Sequence, residues 1–206
     1  MRLHCENSLN LQRFWCEMNI KSLLNLTIDL IARPQATANV LAGESKGFGT
    51  LLKEIAVPYF VAIALAEFIG HVAFGTYMFR ESLSFITNEL APSLSMLIVS
   101  GLIFTFLLNE VLHYYSLQPK LKRSFYIVTY SFIPVFVASI MGGLIPKLSP
   151  LFSLCGLYSY YLLWCILKAE NPGIDNKKHR NATLTAIATM VLIHWALVGC
   201  YTLIFN

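Results

Sequence analysis

The sequence predicts an all-α, polytopic membrane protein: a bundle of five transmembrane helices preceded by an amphipathic interfacial helix. Three observations predict it. Hydrophobic residues make up 56% of the 206-residue chain and charged residues only 13%, with a mean hydropathy of +0.61, outside the balance of an ordinary soluble domain. Five apolar runs each approach the roughly 20 residues that a bilayer core requires. Lys and Arg are concentrated in alternate loops, as they are when successive loops lie on opposite sides of a membrane.

In chain order, residues 1–17 (MRLHCENSLNLQRFWCE) have weak periodicity and lack the apolar core of a signal peptide. They are expected to be a flexible tail or an extension upstream of Met18. Residues 18–54 read as a cytoplasmic or interfacial amphipathic segment. Ile20, Leu23, Leu24, Thr27 and Ile31 share a helical face, Lys21, Asn25 and Asp29 form a polar stripe, and Pro34 breaks the pattern. Such a helix suits the membrane surface or the flank of a bundle. The transmembrane domain takes up 55–206, with spans at about 56–77, 94–115, 125–145, 148–167 and 182–205.

Thirteen of the 15 basic residues fall before the first span or in the loops after the second and fourth; the other side holds only Arg80 and Lys147. The amino terminus is therefore expected in the cytoplasm and the carboxyl terminus outside. The net charge of +4 reads as topology and lipid contact, and no nucleic-acid partner is expected. The five cysteines form no CxxC pair.

Helix contacts are also legible. Ala62, Ala66 and Gly70 form a small-residue stripe on the first span, and Ala138/Gly142 with Ser139/Gly143 do the same on the third. Pro134 predicts a kink there, and the short PKLSP connection makes the third and fourth spans an antiparallel hairpin.

The run Tyr130-Ser131-Phe132-Ile133-Pro134, the Ile145-Pro146 turn and Leu157-Tyr158-Ser159-Tyr160-Tyr161-Leu162-Leu163 resemble the third and fourth spans of the Yip (Ypt-interacting protein) domain family. Pro58-Tyr59 and Phe68-Ile69-Gly70 resemble its first span. In eukaryotes the resemblance implies Golgi and endoplasmic-reticulum trafficking, through complexes with other family members and prenylated small GTPases. This chain lacks that branch's long polar amino-terminal region; Asp29-Leu30-Ile31-Ala32-Arg33-Pro34 only loosely echoes its Asp-Leu-x-Gly-Pro element. The short bacterial branch, and hence a bacterial inner membrane, is the better match.

Ionisable residues within spans are functional candidates because their burial in lipid is costly. Glu67 and His71 share one face of the first span, Glu110 and His113 one face of the second, and His194 lies in the fifth. Counted from the cytoplasmic end at about 1.5 Å per residue, Glu67 and His194 lie roughly 17 to 18 Å deep, and Glu110 and His113 only about 5 to 9 Å. Glu67, His71 and His194 thus form the candidate proton or ion site, with Glu110 and His113 a separate cytoplasmic-side pair. The structural alternative for Glu67 is a neutral carboxyl hydrogen-bonded between helices. Glu67, His71, Glu110 and His113 are of metal-ligand type, but no metal site is assigned and no cofactor is expected. Lys177, Lys178 and Arg180 are candidates for contact with anionic lipid or a partner protein.

The chain contains no Gly-x-Ser-x-Gly, P-loop or His-Glu-x-x-His motif, and no enzyme is expected. The favoured function is a membrane scaffold or adaptor that forms a homo-oligomer or binds a membrane-protein partner. The alternative is a proton or ion transporter or channel using the Glu/His residues.

Overall fold

The computed structural model describes residues 20–44, 46–74, 90–117 and 120–205. The expected 1–17 tail, the outer end of the first span and Arg80 lie outside the described residues. Among the described residues all regular structure is helical.

Two short helices come first, α1 (Ile20–Ala32) and α2 (Pro34–Gly43). Arg33 separates them at φ −136° and ψ 58°, because the residue before a proline is disfavoured in the helical region. The long α3 (Phe48–Phe74) widens into a π-helical turn at Leu52–Ala56, just ahead of Pro58, whose ring would otherwise collide with a carbonyl one turn back. α4 (Ala91–Tyr114) returns. α5 (Leu121–Ser131) and α6 (Ile133–Leu144) meet at Phe132 with a 42° bend, the kink expected from Pro134. α7 (Pro146–Glu170) begins with two 3₁₀ turns, and α8 (Asn176–Phe205) completes the bundle. Four helices, α3, α4, α7 and α8, are long and apolar enough to cross a membrane; the α5–α6 pair makes a fifth if it is one broken span.

Helix order follows from a few contacts. The ring of Phe48 meets Phe125 at 4.4 Å, Arg123 pairs with Glu170, and Trp164 packs edge-on against His179 at 4.5 Å. The start of α3, the start of α5, the end of α7 and the start of α8 therefore share one end of the bundle, here the basic end. At the opposite end α3 and α6 nearly touch through their backbones. A Cβ on Gly70 would sit 1.8 Å from the Gly143 carbonyl oxygen, and one on Gly143 would sit 2.8 Å from the Glu67 nitrogen. The two small-residue stripes read from the sequence meet here, with Ala66 and Gly70 buried.

Most of the core lies toward the basic end: Leu51, Ile55, Leu108, Leu112, Tyr126, Tyr130, Leu162 and Ile166 are each no more than 2% exposed. Beyond this core the chain opens out. Leu148, Leu151, Leu154 and Leu157 on α7, and Leu192 and Trp195 on α8, are exposed.

α2 runs antiparallel to α7. Its end at Leu41–Glu44 is held by Arg123, while Tyr158 donates to the Ile31 carbonyl at 2.9 Å beside its start. Tyr158 lies twelve residues from Glu170, about 18 Å along α7. Thr27 shares a hydrogen bond with Tyr59, eleven residues from Phe48 or roughly 16 Å along α3. Two residues of α1 are thus fixed at nearly the same level, so α1 lies across the side of the bundle, not along it. Its apolar face is divided: Thr27 and Leu30 are buried, whereas Ile20, Leu24, Ile28 and Ile31 form an exposed stripe.

Candidate functional site

Glu67 and His71 stand one helical turn apart on α3 and line the same cleft, of about 550 Å³, at the end opposite the basic loops. Their neighbours Ala66 and Gly70 are buried against α6, which turns the carboxylate and imidazole toward α4 and the α6–α7 turn. Ser93, in the first turn of α4, donates to Glu67 Oε1 at 3.3 Å. Ser139 and Ser149 add hydroxyls from α6 and α7. Both Glu67 and His71 are half-buried.

His194 is not brought to Glu67. It borders a second cavity, of about 300 Å³, together with Ser100, Ser153 and Tyr160. Ser139 and Ser149 belong to both walls and separate the carboxylate cleft from the imidazole cavity. Depth counting along a helix matches levels but not azimuth, and α8 presents His194 to a different side. Glu110 and His113 are exposed at the far end of α4. Seventeen residues separate Ser93, the Glu67 partner, from Glu110, about 26 Å of helix. The four residues of metal-ligand type therefore fall into two distant pairs. Among the described residues no group of three or more His, Cys, Asp or Glu side chains could hold a metal ion together. Lys177 and Arg180 are exposed in the first turns of α8, whereas Lys178 is half-buried and His179 points inward to Trp164.

A second constellation at the basic end is absent from the sequence-based candidates. Arg123 donates through Nε to Glu170 Oε2 at 2.7 Å and through Nη2 to Glu170 Oε1. The same guanidinium reaches the carbonyls of Glu44, Leu41 and Ala42, and lies 4.3 Å from the centroid of the Tyr126 ring. The Tyr126 hydroxyl also donates to the Leu41 carbonyl, at 3.0 Å. A planar donor fork suits this combination of a bidentate carboxylate and a ring of helix-end carbonyls. From the sequence Arg123 is one topogenic charge among many. The available signal was its placement opposite Glu170 at the shared end of a predicted antiparallel hairpin.

Apolar helices of spanning length, with polar groups gathered in clefts and at one charged end, define an integral multi-pass membrane protein. The family model for the Yip1 domain matches residues 28–198, and the chain belongs to that family. No curated protein and no solved structure matches the chain. The residues that carried the resemblance are structural: Tyr130, Ser131, Ile133, Ser159, Leu162 and Leu163 are buried, and Phe132 and Pro134 form the bend.

Proposed function

We propose that the protein is a membrane scaffold or adaptor of the Yip class that assembles with itself or with another membrane protein. In this reading α5 and α6 form one broken span, giving five. The basic end faces the cytoplasm, the carboxyl terminus faces outside, and α1 is the interfacial helix. A bacterial inner membrane is the membrane proposed, over Golgi or endoplasmic-reticulum membranes, because Asp29-Leu30-Ile31-Ala32-Arg33-Pro34 only loosely echoes the eukaryotic Asp-Leu-x-Gly-Pro element, and a small GTPase enters only by family analogy.

One observation favours a scaffold over a conduit. An ion entering at Glu67 and leaving near Glu110 would have to pass the level of Leu108 and Leu112, which are at most 2% exposed in the packed core. Proton or potassium flux into liposomes holding the purified protein should therefore stay at the level of empty liposomes, and chemical cross-linking in native membranes should trap a dimer or a partner. A flux that disappears in Glu67→Gln, with the fold retained, would establish the transporter reading instead.

A further inference from the structure

The α1–α2 hairpin encloses a cavity of about 360 Å³ that the reading above does not use. Asp29 of α1 and Arg33 at the α1–α2 break line it, Glu44 follows α2, Lys46 lies just beyond, and Tyr130 of α5 forms part of the wall. Charges of both signs are thus gathered in one hollow. Lys46 is paired with Glu54 at 2.9 Å. The side chains of Asp29 and Arg33, by contrast, are exposed and have no hydrogen-bond or ion-pair partner among the described residues. Tyr130 is completely buried and its ring packs on that of Tyr126, whose hydroxyl donates to the Leu41 carbonyl. The hydrogen-bonding capacity open to an occupant of the hollow is therefore that of Asp29 and Arg33.

The placement of this hollow indicates what fills it. The cavity face carries Asp29 on α1 and Arg33 just past its end, and the exposed stripe Ile20, Leu24, Ile28 and Ile31 is on the opposite side of the helix. A helix lying across the bundle with one face charged and the other apolar sits where headgroups meet acyl chains. Exposed Asp29 and Arg33 are tolerated at that level and not in hydrocarbon.

We infer that the α1–α2 cavity is a binding site for the zwitterionic headgroup of a phospholipid, a phosphate joined to a primary ammonium. Arg33 donates to the phosphate, with Lys46 adding positive charge. Asp29 and Glu44 accept from the ammonium. The inference rests on α1 being interfacial. The same phosphate and ammonium chemistry exists in soluble glycerophosphoethanolamine, so the lipid and the free solute are tested separately.

The full chain, purified in detergent, is titrated with phosphatidylethanolamine, phosphatidylglycerol or glycerophosphoethanolamine, with lipid retention read by native mass spectrometry and stability by thermal unfolding. Phosphatidylethanolamine should be retained preferentially and should raise the unfolding midpoint, and the soluble headgroup should do neither. Asp29→Asn should weaken phosphatidylethanolamine about tenfold and leave phosphatidylglycerol unchanged, whereas Arg33→Gln should weaken both about tenfold. Equal retention of the two lipids, or retention indifferent to Asp29→Asn and Arg33→Gln, overturns the site; binding of the soluble headgroup as tight as the lipid overturns the lipid as its occupant. A nitroxide on Leu24→Cys in vesicles reads the membrane placement independently. Oxygen-accessible label supports an interfacial α1, and a label seen only by aqueous quenchers removes that premise whatever the retention assay shows.

Discussion

The two ends of this bundle are built on different principles. At the basic end helices α2, α5 and α7 are joined by one guanidinium that serves a carboxylate and three carbonyls, above a core of nearly inaccessible side chains. At the other end α3 and α6 touch through glycines, the first half of α7 and the last half of α8 expose leucines and a tryptophan, and two serine-lined hollows open among the helices. The comparison teaches where rigidity comes from in a protein surrounded by lipid. Apolar burial alone offers little advantage over lipid tails. Directional bonds and close backbone contact therefore set the fixed points, and the surfaces away from them remain available to lipid or a partner.

Each fixed point can be removed to test this contrast. Arg123→Ala should have the largest effect, about 3–5 kcal/mol lost, because it leaves the Glu170 carboxylate, only 13% exposed, without its counter-charge. Denaturant unfolding in detergent measures the loss, and hydrogen exchange should show α2 released first. Gly70→Ala comes next, at about 1–3 kcal/mol, since its methyl group must displace the Gly143 backbone. That loss should appear as separation of α3 from α6, readable as a lengthened spin-label distance at the open end only. Tyr59→Phe removes the bond to Thr27 and should cost about 1 kcal/mol, with faster exchange confined to α1. Trp195→Ala, at a side chain 70% exposed, should change stability by less than about 0.5 kcal/mol. If Trp195→Ala destabilised as much as Gly70→Ala, the open end would be packed against a second chain and the contrast between ends would be lost.

The class of the molecule, its family and its closest helix contact are readable from the sequence because each depends on composition or on spacing within one helix. Ala66, Gly70 and Gly143 show this: small residues at spacing four on two apolar spans could hardly serve another purpose, and the helices meet there. Glu67 is similarly legible, since the stripe beside it fixes which way it turns. Span ends are less so. Hydropathy begins the first span near residue 56, yet α3 starts at Phe48, because a helix continues through polar turns that hydropathy excludes. The Arg123 cluster is hardly legible, as its partners lie 79 and 47 residues away and its chemistry needs three helix ends in register. The division of the α1 apolar face between bundle and exterior was invisible for the same reason. Periodicity shows that a helix has a face, not how many neighbours share it.

The reach of Arg123 has a consequence for how the chain is made. The carbonyls at the end of α2 leave the ribosome long before residue 123, and the carboxylate that orients that arginine comes 47 residues later still. Helix ends without partners stay open to water. The α1–α2 pair, though made early, is therefore locked only once α7 has been made. A truncation ending before Glu170 would leave the amino-terminal hairpin sensitive to protease even with the preceding helices in place.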